Sequence, residues 1–370
     1  MRRLLQGRGY TIIGIVQEKG FFQNLALGKV SAKDRSVMYK ELATMLKAGV
    51  SITQAIEIVA ETPNKKLQKV LREVSTSLEN GFPLSVAMSG HPKIFPIVET
   101  GVVRAGEATG NLVKVLQELA ITTERSANFS GKVKGAMIYP AFIVVVMIVV
   151  GAIILTKVIP PIKDIFSTQG AELPLSTRML IAMAEGLINY WGWIILAVIL
   201  FVVIIKLFLI TKPGKRTSSV LALNFPVFGT LMRQVYLAQF NRTMTLLVGA
   251  GVPIIEAVEI VTDSTTNVIF RDALTGLMHS LEQGSPISVS LQGSKYFPKL
   301  MTQLLFVGQQ SGDLGGTTQT LAEYFEGEVD VKLRTFSSLL EPFIITILGL
   351  AVGFIIVSVL QPIYNLSSAI

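Results

Sequence analysis

The stretch Leu46-Lys-Ala-Gly-Val-Ser-Ile-Thr-Gln-Ala-Ile-Glu-Ile-Val59 recurs 202 residues later as Val248-Gly-Ala-Gly-Val-Pro-Ile-Ile-Glu-Ala-Val-Glu-Ile-Val261. Other matches keep the same order. Glu79-Asn-Gly81 returns one residue late as Glu282-Gln-Gly284, and Phe95-Pro96 returns as Phe297-Pro298 with the offset restored. Gly106-Glu-Ala-Thr-Gly-Asn-Leu112 becomes Gly308-Gln-Gln-Ser-Gly-Asp-Leu314, while Pro140 and Pro160 match Pro342 and Pro362. A fixed offset through so many short matches marks a tandem duplication, each copy being one structural unit.

Within each copy the apolar spacing is helical. Met38, Leu42, Met45 and Leu46 share a face, Gly49 supplies a stop, and Ser51 with Gln54 makes a capping-box pattern for a helix through Ile52, Ile56 and Val59. Pro253 and Glu256 give the second copy a related start. Further helices are expected over about 65–80, 95–105 and 111–130, so each copy is predicted to be a small helical bundle. Tyr10 to Val16 is β-branched and strand-like, which suggests a small separate N-terminal element.

The rest of the chain is dominated by charge-free runs. Half of the 370 residues are hydrophobic, 16% are charged and mean hydropathy is +0.56, against about 25% charged residues in ordinary soluble domains. Gly135 to Thr156 holds no charge, and a helix of that length reaches about 33 Å, enough for a hydrocarbon core of about 30 Å. A second run, Gly186 to Ile205, opens on Tyr190, Trp191 and Trp193, suited to a headgroup boundary, and closes on Lys206. A third follows Glu341-Pro342 and runs through Leu360, with no charge after it.

The expected organisation is an N-terminal element at 1–36, a first repeat at 37–134, spans at 135–159, 186–210 and 342–364, and an external loop at 160–185. A linker at 211–238, a second repeat at 239–341 and an external tail at 365–370 complete it. The fold class is an all-α integral membrane protein with two tandem homologous cytoplasmic bundles. Lys and Arg gather beside the span ends at Arg125, Lys132 and Lys134, at Lys206, Lys212, Lys215 and Arg216, and at Lys332 and Arg334. Only Lys157, Lys163 and Arg178 lie on the other side, so the positive-inside rule puts the N-terminus and both repeats in the cytoplasm. A duplicated unit with one crossing would send its second copy outward, and the extra middle span corrects this. No apolar core follows the basic residues of Met1 to Tyr10, so a secretory signal is not expected there.

Chemistry is sparse. There is no cysteine, the two histidines are His91 and His279, and the pairs Gly28-Lys29, Gly131-Lys132 and Gly214-Lys215 lack the rest of a phosphate loop. Neither a metal nor a cofactor is implied, and an enzyme reading lacks a nucleophile–base pair. The glycines at 106, 110, 308 and 312 admit two readings, an anion-binding backbone or a tight helix turn, of which the turn weighs more. Glu107 has Gln309 as its counterpart in the second copy, so the fold does not require the carboxylate in both and Glu107 is a contact candidate. Glu341 at the span mouth could pair with a basic partner residue or simply be solvated at the interface. Gly349 and Gly353 are four apart in the third span and permit close helix contact. The basic first third lacks interleaved aromatics for nucleic acid, and the inner leaflet or an acidic partner explains it better.

At these residues the sequence resembles the inner-membrane platform proteins of type II secretion and type IV pilus assembly, the GspF/PilC group. The likeness is carried by Leu46-Lys-Ala-Gly-Val-Ser, Gly249-Ala-Gly-Val-Pro, Gly106-Glu-Ala-Thr-Gly-Asn-Leu, Ala136-Met-Ile-Tyr-Pro-Ala, Glu172-Leu-Pro-Leu-Ser-Thr-Arg178, Phe225-Pro-Val-Phe-Gly229 and Glu341-Pro342, from Tyr39 to the end. The resemblance implies a non-enzymatic inner-membrane platform that couples a cytoplasmic hexameric assembly ATPase to insertion or extraction of pilin or pseudopilin subunits. It also implies contact with other inner-membrane assembly proteins and a homo-oligomer, most often a dimer. Arg104, Glu107, Gln309, Asp313 and Glu341 are the expected partner-contact residues, and Gln309 stands where the family commonly has an acid. The competing class, a small-solute transporter or channel, fits poorly because the spans hold no buried ionisable residue.

Overall fold

The computed structural model describes residues 29–160, 175–225, 228–292 and 294–367. Every regular element among them is a helix. The strand-like Tyr10 to Val16 and most of the external loop lie outside these residues. Contacts divide the chain into Met1–Arg125 and Ser126–Ile370.

In the first unit, α1 (Ala32–Lys47), α2 (Ile52–Val59), α3 (Lys65–Glu79), α4 (Leu84–Ser89) and α5 (Ile97–Thr109) precede α6 (Leu112–Ile153). The core face of α1 is Met38, Tyr39, Leu42 and Ala43, all buried, while Met45 and Leu46 are only half-buried. Gly49 takes φ +87°, a left-handed conformation that a side chain resists, and thereby ends α1. The Ser51 hydroxyl accepts the Gln54 N–H at 3.4 Å, while the reciprocal capping box forms one helix earlier, between Ser31 and Asp34. Leu67, Leu71, Val74, Phe95, Val102, Leu116 and Leu119 fill the interior.

The second unit repeats this order. After α7 (Leu175–Ile210) and α8 (Lys212–Asn224) come α9 (Phe228–Gly249), α10 (Ile254–Ser264), α11 (Val268–Glu282), α12 (Ile287–Ser290), α13 (Lys299–Ser311) and α14 (Leu314–Ser367). Helix α5 and helix α13 begin and end 202 residues apart, and the left-handed glycines 49, 81 and 110 return as 251, 284 and 312. Asn64 and Asn267 each cap the next helix, their side chains accepting backbone N–H groups of its first turn. The single-residue slip lies before Asn267 and is undone before Phe297.

Three boundaries differ from the sequence reading. The helix expected at 111–130 and the first span are one helix, α6, which continues through Pro140; a proline in an apolar helix is tolerated where neighbouring groups take up the freed carbonyl. Helix α14 likewise passes through Glu341-Pro342 without a break. The expected linker at 211–238 holds α8 and the start of α9: α8 docks where the Ser219 hydroxyl accepts the Val268 N–H at 3.1 Å, and α9 buries Leu231 and Val235.

Among the described residues two helical stretches are long and apolar enough to cross a bilayer, Leu112–Lys157, which includes the π-helical turn Ile154–Val158, and Ile181–Ile210. Phe201 and Ile210 are 63% and 69% exposed, a display that water would oppose and lipid tails accept. Within α14 the apolar part is Ile344–Phe354. The pair α8 and α9, bent by 105°, is also apolar enough on average. It carries Lys212, Lys215, Arg216, Arg233 and Arg242 and contributes core residues, so it belongs to the bundle. Beneath the apolar segments α6, α9 and α14 converge: Phe129 and Val133 pack on Leu231, Val235, Val329 and Leu333, and Lys132 Nζ lies 2.7 Å from Asp330 Oδ2.

The first bundle hides an ionic cluster that the second lacks. Arg35 Nε donates to both Glu99 oxygens at 3.0 and 3.1 Å, and the Tyr39 hydroxyl donates to Oε2 at 2.6 Å, with Glu99 6% and Tyr39 0% exposed. Burial pushes the Glu99 carboxyl up, against the pull of Arg35 and the Tyr39 hydrogen bond. Burial raises Tyr39 too, reinforced by the facing carboxylate. At the corresponding positions the second bundle has Leu237, Asn241 and Met301, so the fold accepts an uncharged set there. Arg35→Ala strands a buried carboxylate and is expected to cost about 3–5 kcal/mol. The triple exchange Arg35→Leu, Tyr39→Asn, Glu99→Met is expected to cost less than Arg35→Ala alone, which denaturant titration of the full chain in detergent will check.

Candidate partner-contact surface

The turn joining α5 to α6, and its copy joining α13 to α14, carries four of the five residues expected to meet a partner. Gly110 and Gly312 adopt φ of +70° and +74° and end their helices. Gly106 lies against Val115, so closely that an added Cβ would sit 2.9 Å from a Val115 methyl, and Gly308 lies equally tight on Thr317. The glycine motifs are therefore turn and crossing devices, with no open cradle for an anion.

Glu107 is half-buried and employed within the chain. Its Oε1 accepts the Leu84 N–H at 2.5 Å, and its Oε2 accepts the Ser85 N–H at 3.2 Å and the Ser85 hydroxyl at 2.5 Å. A carboxylate thus satisfies the start of α4, whose own preceding residue is Pro83. In the second bundle Ser288 replaces Ser85 and Gln309 replaces Glu107. Gln309 is exposed, and the fully buried Ser288 hydroxyl has no partner among the described residues. Asp313 is exposed and caps α14, its Oδ1 accepting the Gly316 N–H at 2.8 Å.

Arg104 is exposed on α5, and Phe306, 49% exposed, holds its place on α13. Glu341 and Pro140 sit on described helices, but their side chains lie outside the described residues. Pro342 follows Glu341 on α14. Among the described residues no atom lies within 4 Å of a Cβ built on Gly349 or Gly353, so none of them makes the close approach those glycines permit. His91 follows α4 on a loop, 3.6 Å from a Glu73 oxygen, and burial holds its pKa below the usual histidine value. Among the described residues no three or more of His, Asp and Glu gather as metal ligands.

The contrast in charge between copies is legible in the sequence once the repeat is aligned, yet the whole-chain arithmetic hides it. Residues 37–134 hold 12 Lys and Arg against 9 Asp and Glu, whereas 239–341 hold 6 against 11. On α3, Lys65, Lys69 and Arg72 lie exposed at helical spacing along one face, where α11 has Val268, Asp272 and Thr275. The two segments thus differ in net charge, about +3 against about −5.

Compared with known proteins, the chain matches the family described as type II secretion system (T2SS), protein F, over residues 38–160 and 240–362. The two matched segments are the two repeats, each with its following apolar helix. It is 32% identical to the type IV pilus assembly protein PilC of Thermus thermophilus, over 98% of this chain and 91% of that one. It is 30% identical to PilC of Pseudomonas aeruginosa over 96% of each chain, and 29% identical to type II secretion system protein F of Aeromonas hydrophila over 92% and 88%.

The unequal caps of α4 and α12 make a paired prediction. Glu107→Gln weakens a charged cap and is expected to cost the first bundle about 1–2 kcal/mol. Gln309→Glu brings a carboxylate toward the Ser288 hydroxyl and is expected to stabilise the second. Opposite shifts in thermal midpoint of the purified chain would be the signature.

Proposed function

Because the chain belongs to the type II secretion system protein F family, we propose that it is the inner-membrane platform of a type IV pilus or type II secretion machine. In this reading it couples a cytoplasmic assembly ATPase to insertion or extraction of pilin or pseudopilin subunits. The observation that carries it is the pairing of two homologous bundles, each leading into an apolar helix, at the two segments the family matches. Nothing in the chain supplies a phosphate loop, so the free energy comes from a partner.

Both bundles face the cytoplasm, as the basic residues beside the span ends favour. The ATPase grips the paired turns: Arg104 and Glu107 on one bundle, Gln309 and Asp313 on the other, with Glu107 holding the α4 edge of the contact in shape. A subunit that cycles between nucleotide states can reorient the platform only by contacting it differently in each, and turns displaying unlike residues, Arg104 beside Phe306, allow that. The apolar helices, with Glu341 at the mouth of the last, guide the apolar helix of the exported subunit, and chains associate as an oligomer, a dimer being favoured.

Arg104→Glu together with Gln309→Lys changes exposed side chains outside both cores. Expressed in the native host, that variant is expected to retain wild-type abundance while co-purification of the assembly ATPase falls at least tenfold and surface pili or secreted product disappear. Normal ATPase recovery with full assembly would reject these turns as the contact.

A further inference from the structure

Helix α7 is longer than any bilayer needs. Its 36 residues extend about 54 Å, against a core of about 30 Å. From the break at Tyr190 to Ile210 the helix extends about 31 Å, enough for that core with Lys206 reaching its far edge. The residues before the break, Leu175 to Asn189, are therefore not needed for the crossing.

The helix also changes direction there. Tyr190 leaves helical geometry at φ −118°, ψ 16°, beside Trp191 and Trp193, the aromatic set that marks a headgroup boundary. Before this break the residues sort into three faces. Ile181 and Ala184 are buried against Leu155 and Ile159 at the end of the first span. Arg178, Glu185 and Asn189, at spacings of seven and four, form an exposed polar face. Met179 and Met183 form a third, apolar and 57% and 60% exposed, which turns round toward Leu187.

An exposed apolar face opposite a polar one, on a segment joined by a break to a spanning helix, fits the plane of a membrane surface better than water. We propose that residues 175–189 form an interfacial helix, which lies on the leaflet at the Trp191 end of the span with Met179 and Met183 in the lipid and Arg178 at the headgroups. The occupant of the methionine face is lipid, because the face continues across Tyr190 into the lipid-exposed surface of Trp191, Trp193 and Ile194. Pinned through Ile181 and Ala184 to the first span, this helix fixes how far the two spans can slide against each other. The inference requires only that α7 crosses a bilayer, and stands apart from the pilus or secretion role.

The chain has no cysteine, so single reporters need no background removal. Arg178→Cys, Met179→Cys, Met183→Cys and Asn189→Cys, each nitroxide-labelled in the full chain, are reconstituted in phosphatidylethanolamine and phosphatidylglycerol vesicles, with Trp193→Cys setting the depth scale. Labels at 179 and 183 are expected to collide with dissolved oxygen at least threefold more, relative to an aqueous nickel chelate, than labels at 178 and 189. Equal nickel access at all four would place the helix in water. Equal oxygen preference would make it a plain extension of the span, and exclusion of both reagents at 179 and 183 would put a second copy of the chain there. Any of the three overturns the proposal.

Discussion

A charged side chain in the middle of a bilayer costs about 3 kcal/mol or more, so the charge-free runs of this chain dictate where it crosses. Lys134, Lys157, Glu185 and Lys206 stand at the edges of the first two runs, and the helices found there expose nearly all of their apolar side chains. The rest of the architecture answers to that constraint. A unit made of one bundle and one crossing cannot be repeated on one face of a membrane without an added crossing, and in the proposed topology α7 supplies it.

Duplication then freed the copies to diverge. The helices and the left-handed glycines of the first bundle return in the second, but the polar content was rewritten. Arg35, Tyr39 and Glu99 became Leu237, Asn241 and Met301; the Glu107 cap became an exposed Gln309; a basic α3 became a near-neutral α11. Core geometry tolerates these exchanges because packing volume and glycine turns set it, not the ion pairs.

The repeat was readable because left-handed glycine positions such as Gly49 and Gly251 cannot drift without strain, and the spans because charge is excluded from lipid. What could not be read depends on distant neighbours. Arg35 and Glu99 are 64 residues apart, and Glu107 caps a helix that begins 23 residues earlier, so no local pattern announces either bond. Local rules also misled: they predict a helix end near residue 130 and a span start after Glu341-Pro342, yet α6 and α14 run through both places. Within the expected linker at 211–238, α8 buries Ser219 and Leu223 and α9 buries Leu231 and Val235. For the proposed contact residues, the sequence could not tell that Glu107 already had internal donors.

The central claim is that two homologous bundles share one side of the membrane, reached through the extra crossing of α7. Single cysteines at Arg104 and Gln309, treated with a membrane-impermeant maleimide on intact cells and again after permeabilisation, test it directly. Both sites are predicted to label only after permeabilisation, whereas labelling of either one in intact cells would place its bundle outside and contradict the account.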